Sequence, residues 1–381
     1  MTAPMVAPPG LSGVIVADTT IGDVRGEEGF FHYRQYDATA LARERSFEEV
    51  WHLLIRGTLP NDTELSAWTR LTAEAATIPD DLAYGLLEVM HASAGNEPLV
   101  TLRTALSAYG ALVGDGPLWD SDEPTKERAA IRDAAVVPWL VATAHQLAQG
   151  AGPRAPRPEL GHVGNYLWLV TGSEPAPEHI AALTRYLILT IDHGFNNSTF
   201  TARTVASTGA DLTACLVAGI GALSGPLHGG APSRALDALD EIGTADRARQ
   251  WALDQLASGN RVMGFGHAVY RGPDPRSELL KETAIELGGA SAELAVHVEA
   301  KVVSVLAEAK PDRVLRANVE YYAGVVMQEC GIPREMFTPT FACSRVVGWT
   351  AHVLEQSRDR KIIRPLSHYS GPEVGRGSSP V

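Results

Sequence analysis

The chain has 381 residues, long enough for two or three ordinary domains or one large core with a smaller lobe, and its 45% hydrophobic and 20% charged content suits a soluble globular protein. Its 45 acidic and 32 basic residues give a formal charge of −13, which argues against a general nucleic-acid or anionic-membrane surface, so anionic ligands need local arginines. No apolar run approaches a membrane span, and Met1–Gly10 has neither the basic start nor the apolar centre of a secretion signal, so a cytoplasmic location is expected.

Residues 11–37 carry short Val, Ile, Tyr and Phe stretches punctuated by Gly and Asp, which predicts a small N-terminal β-element. Helices then take over. Ser46 and Glu49 form a capping-box pattern ahead of Phe47, Val50, Trp51 and Leu54, and Gly57 with Pro60 ends that segment. Leu65, Trp68 and Leu71, then Leu82, Leu86, Val89 and Met90, then Leu102, Leu106, Tyr109 and Leu112 repeat the helical spacing. Gly114–Pro124 and Gly150–Pro158 are turn-rich surface connectors. Pro138, in the helix between them, is expected to kink it or to lie near its start.

Ile180–Ile191 is apolar nearly all round, as a buried core helix would be. The polar stretch Asp192–Ser198 interrupts it, and a helix resumes with Asn197 or Ser198 as N-cap. The helix from Asp211 to Leu223 contains Gly219 and Gly221, which predicts a neighbouring backbone in close approach. Cys215, Cys330 and Cys343 lack CxxC spacing and fall in apolar helical contexts, so reduced core thiols are expected. The architecture is mainly α, with no repeat period.

Two stretches depart from this helical grammar. In Ser224–Pro232, His228 sits among Gly225, Pro226, Gly229 and Gly230 ahead of a helix whose first turn holds Pro232. An imidazole on a tight loop at a helix N-terminus is placed to meet an oxyanion and to stay neutral. Taken alone, the stretch also fits a histidine that merely caps or packs. In Arg261–Arg276, Gly264 and Gly266 flank Phe265 and precede His267, Arg271 and Arg276. The third glycine of a dinucleotide fingerprint is missing, and Pro273 and Pro275 break the chain again. Flexible backbone N–H groups, a histidine and two arginines suit a ligand with separate phosphate and carboxylate groups. Further on, Glu320 stands in an uncharged setting at the start of an apolar helix, where burial would raise its pKa toward that of a general base at neutrality. Arg345, a charge inside an apolar helix, requires an anionic partner. Arg364 precedes Pro365 in a tail ending in Gly and Ser.

These pieces, in this order, resemble the citrate synthase family. Gly225–Ala231 and Gly264–Arg271 with Asp274-Pro275-Arg276 are similar to its two histidine loops, and the likeness extends to Gly10–Thr19, Tyr33-Arg34, the His193 segment, the Arg345 helix and Ile363-Arg364-Pro365. The resemblance implies a nearly all-α homodimer. Residues 1–224 and 326–381 would form a large domain and residues 225–325 a small inserted one, with the ligand cleft between them. It implies condensation of acetyl-CoA with oxaloacetate, then thioester hydrolysis to citrate and CoA, with no metal and no cofactor beyond the CoA substrate.

By the same resemblance His228 stabilises the enol, His267 polarises the ketone and Glu320 takes the place of the family's aspartate base. His193, Arg276 and Arg345 hold oxaloacetate, joined by Arg364 from the other subunit. Arg271 contacts CoA, beside the backbone of Gly264, Phe265 and Gly266. Glu320 departs from the pattern by one methylene, which leaves a catalytically weak paralogue that binds oxaloacetate or CoA as an alternative. Gly194-Phe195 replaces the Glu-Leu of many members and is similar to 2-methylcitrate synthases, so propionyl-CoA is the alternative acyl donor.

Overall fold

The computed structural model describes residues 5–229, 231–260, 262–267 and 269–372. Gly230, Arg261 and Ala268, named in the two glycine-rich stretches, lie outside it, as does the tail beyond Pro372. The expected N-terminal β-element is a three-stranded antiparallel sheet of β1 (Gly22–Arg25), β2 (Phe30–Tyr33) and β3 (Tyr36–Asp37), with Gly22 opposite Tyr33 and His32 opposite Asp37. Asp37 then caps α1 (Ala38–Glu44).

Helices make up nearly all the rest. The capping box forms at α2 (Phe47–Arg56), where Glu49 N donates to Ser46 Oγ and Ser46 N to the Glu49 carboxylate. Gly57 ends the helix in the left-handed conformation that glycine adopts without a Cβ penalty. Helices α3 (Asp62–Ala75), α4 (Asp80–Ala92) and α5 (Pro98–Val113) follow. In α6 (Glu123–Ala148) Pro138 sits deep inside a continuous helix and is buried, not near its start as one expectation had it. Next come α7 (Gly161–Thr171), α8 (Pro177–Thr190), α9 (Asn197–Ala206) and α10 (Leu212–Leu223). The N-cap of α9 is Asn196, one residue earlier than predicted, because its side chain reaches Thr199 N at 3.1 Å.

Helices α11 (Ala231–Ile242), α12 (Ala248–Ala257), α13 (Pro275–Leu287), α14 (Ala290–Ala309) and α15 (Val319–Glu329) pack largely on one another, and α16 (Phe337–Asp359) returns through the core against α6, α8, α9 and α10. At Gly348 the α16 backbone runs so close to the chain leaving α8 that a Cβ would stand 2.0 Å from Ile191 O. The paired glycines of α10 do less than expected: Gly219 faces the Trp349 indole rather than a backbone, and Gly221 faces open space. All three cysteines are buried thiols, and burial pushes Cys215 and Cys330 up to about 12. Among the described residues no helix is long and apolar enough to cross a membrane.

Candidate active site

The break between α8 and α9 carries His193, and a buried network behind it sets its shape. Asp192 is 1% exposed. Its Oδ2 accepts from Gly194 N and its Oδ1 faces His352 Nε2 at 3.1 Å. His352 Nδ1 in turn accepts from Arg203, which also bonds Gln356 and Glu355, so the imidazole proton lies on Nε2 toward Asp192. Burial pushes the Asp192 carboxyl up, but His352 and Arg345 hold it below its ordinary range. Phe195 turns into this network, with the Arg203 guanidinium 4.7 Å over its ring and His352 at its edge. Tyr33 OH donates to Ile188 O and Asp192 O, and the Phe31 ring packs on His193. His352→Ala is expected to cost about 3–5 kcal/mol in denaturant unfolding, since it strands a buried carboxylate. Breaking the exposed Arg43–Glu282 pair should cost under about 1 kcal/mol.

His228 stands in the turn after α10. Here Gly229 has no room for a side chain, since a Cβ would lie 2.3 Å from Leu223 O. His228 Nε2 is 2.8 Å from Ser198 Oγ, which also accepts from Trp349 Nε1. Ser198 Oγ also donates to Asn196 Oδ1 at 2.8 Å. Burial, with Arg345 adding to it, pulls His228 down to about 4. Desolvation and the neighbouring cation both favour the neutral imidazole that was expected.

The second glycine-rich stretch forms a loop that pairs with residues 316–318. Gly266 N donates to Arg316 O, Asn318 N to Gly264 O and Asn318 Nδ2 to Gly266 O, while the Phe265 ring packs on Tyr321. Gly264 and Gly266 have φ of +83° and +85°, a conformation that side-chain-bearing residues rarely adopt. This pairing ties the His267 loop to the start of α15. His267 Nδ1 accepts from the backbone of Val269 and Tyr270, so its proton lies on Nε2, which meets Arg276 Nη2 at 3.0 Å. The two nitrogens thus stand side by side as adjacent donors. Asp274 holds the Arg276 guanidinium through Nε and Nη2 and also accepts from Val319 N at the start of α15. Burial and Arg276 together pull His267 down to about 4.

Glu320 follows Val319, with its N–H bonded to the Asn318 side chain and its carboxylate unbonded among the described residues. Burial raises it to about 7 against the lowering fields of Arg276 and Arg345, as expected for this start of an apolar helix. Arg345 is 2% exposed. The anion that its burial called for is Asp192, which acts through space, while the direct contacts are Nε donating to Thr190 O and the guanidinium 4.6 Å over Phe341. Its charge acts on His193, His228 and Glu320 alike.

Six predicted residues thus converge: His193, His228, His267, Arg276, Glu320 and Arg345. Arg271 and Arg364 do not join them within one chain. Arg271 is exposed beside Glu27, and Arg364 is exposed in the extended segment after α16. A cavity of 470 Å³ opens beside Gly264, Phe265 and Gly266, with Lys310 and Arg313 on its wall. Sequence reasoning passed over Ser198, Asp274, Tyr270 and the His352–Arg203 pair. Asp274 had a readable signal, an Asp-Pro ahead of a helix. The others are joined through space by residues far apart in the chain.

A helical protein with a half-buried carboxylate raised toward neutrality, three imidazoles lowered by burial and two buried guanidinium groups has the equipment of an acid–base enzyme acting on anionic substrates. Relatives give that class its name. The family model for citrate synthase, C-terminal domain, matches residues 10–366. A putative citrate synthase 2 of Mycobacterium tuberculosis is 37% identical over 366 residues, covering 96% of this chain and 93% of the relative. Citrate synthase from Pyrobaculum aerophilum superposes with a TM-score of 0.87 at 34% identity, covering 100% of this chain and 98% of the other. The ternary complex of Thermoplasma acidophilum citrate synthase with carboxymethyl coenzyme A and oxaloacetate gives 0.87 at 26% identity, with 97% of each chain covered. The chain belongs to the citrate synthase family and is an enzyme of that type.

Proposed function

We propose that the protein condenses acetyl-CoA with oxaloacetate and hydrolyses the resulting thioester to citrate and free CoA. The observation that carries this reading is Glu320, whose carboxylate is unbonded among the described residues and is raised to about 7 by burial, beside the buried guanidinium groups of Arg276 and Arg345. Glu320 takes a proton from the thioester methyl group, and His228 stabilises the enol oxygen through a hydrogen bond. The enol carbon attacks the ketone carbon of oxaloacetate. The ketone oxygen takes up the facing donors of His267 Nε2 and Arg276 Nη2 as its charge develops. Water then cleaves the thioester, and CoA leaves as the thiol.

His193, Arg276 and Arg345 hold the two carboxylates, joined by Arg364 of a second copy in a homodimer. The 470 Å³ cavity at Gly264–Gly266 and the exposed Arg271 receive CoA. Closure of residues 225–325 over the rest excludes water. Propionyl-CoA adds a single methyl group, worth about 1–3 kcal/mol in an apolar pocket, so one site can serve both thioesters. Thiol release from each acyl-CoA in the presence of oxaloacetate tests the proposal. Specificity constants rank the two donors, and release with neither overturns catalysis in favour of a binding-only paralogue.

A further inference from the structure

Tyr270 touches both histidines that flank the ketone position, with its main chain on one and its side chain on the other. Its N–H, with that of Val269, donates to His267 Nδ1, and its hydroxyl lies 2.9 Å from His193 Nε2. The side chain is 3% exposed, its ring packs against both imidazoles, and the Arg276 guanidinium stands 5.7 Å over that ring. Among the described residues its hydroxyl has no partner except His193. A buried phenol with a single neighbour gives its proton to that neighbour, because the reverse arrangement leaves the O–H unpaired. Phenol is also the stronger acid of the pair, and Arg276 polarises it further.

We propose that Tyr270 is a positioning residue that sets the ring proton of both histidines, on Nε2 of His267 by its amide and on Nδ1 of His193 by its hydroxyl. His193 Nδ1 has no acceptor among the described residues, so its N–H is kept for the oxo-acid. His193 cannot answer by taking a second proton, since burial and then Arg276 hold it far below its ordinary range. The cleft thereby gains two aimed, uncharged donors from one residue. This inference rests on the condensation reading for its kinetic consequence, though not for its tautomers.

The test pairs kinetics with nitrogen-15 NMR of histidine-labelled protein at neutral pH, on the parent and Tyr270→Phe. Phe keeps the ring packing and the backbone N–H but removes the hydroxyl. KM for oxaloacetate is expected to rise about 2- to 10-fold, as one hydrogen bond is worth, with kcat changed less. His193 should be protonated at Nδ1 in the parent and become a mixture in the variant, while His267 stays protonated at Nε2 in both. A parent His193 protonated at Nε2, or a variant with unchanged KM and unchanged His193 signals, overturns the proposal. If the parent itself releases no thiol, the condensation reading fails, and the His193 signals still decide the role of Tyr270.

Discussion

Glu320→Gln is expected to lower kcat about 10²- to 10⁴-fold, the range that a positioned general base supplies, while oxaloacetate binding stays near that of the parent. The amide keeps the shape of the carboxyl group but cannot accept the methyl proton. The pH profile carries the same signature. Because burial raises Glu320 to about 7, activity of the parent should fall as pH drops below 7 and the base becomes protonated. That limb should vanish in the residual activity of the variant. Stability runs the opposite way. A carboxyl raised by folding adds stability below its ordinary value of 4.5, and that contribution is lost as pH rises through about 7. Glu320→Gln should therefore melt higher than the parent at pH 8 and alongside it near pH 4. Steady-state kinetics and calorimetry across that range check both, and an unchanged kcat would remove Glu320 from the proton transfer.

His228→Ala is expected to lower kcat about 10²- to 10³-fold, as the loss of one aimed donor at a developing oxyanion does, with a smaller change in binding of oxaloacetate. His228 is held at about 4, so it remains uncharged throughout the range in which Glu320 titrates. The parent should therefore show one ionisation near neutrality rather than a histidine limb added to it. Exchange of the acetyl methyl protons with solvent, measured with a stable oxaloacetate analogue bound, isolates the enolisation step. Parent-like exchange in the alanine variant would place His228 outside that step.

Much of this was legible from the residues, because local grammar shows in sequence. The Ser46–Glu49 capping box, the stop at Gly57 and the apolar face of α2 formed as the spacing implied, whereas Leu112 at the end of the α5 pattern is exposed. Glu320 could be read as perturbed because an acidic residue opens an otherwise apolar helix. Where reading slipped, tertiary contacts had decided. Pro138 fits within α6 in the buried interior. Asn196 caps α9 because its own side chain reaches Thr199 N. Arg345 satisfies part of its charge on a helix-end carbonyl, Thr190 O, a partner without any charge pattern to betray it. The pair of His352 with Asp192 spans 160 positions, and a lone histidine in a long helix looks like any other polar residue. Ser198 and Tyr270 were invisible for the same reason, since each matters only through the histidine it meets in space.

The contact of Gly348 with Ile191 O bears on how members of such a family can diverge. Arg345 lies one helical turn before that glycine and His193 two residues beyond that carbonyl, so the wall that presents them is joined main chain to main chain and tolerates no slippage. On the other side, the loop at Gly264–Gly266 and the start of α15 meet through a few hydrogen bonds, a looser joint that leaves more freedom for substitution. Glu320 sits at that looser joint, so substitutions that retune donor choice are expected there as well as at Gly194-Phe195, while the backbone at Gly348 stays fixed.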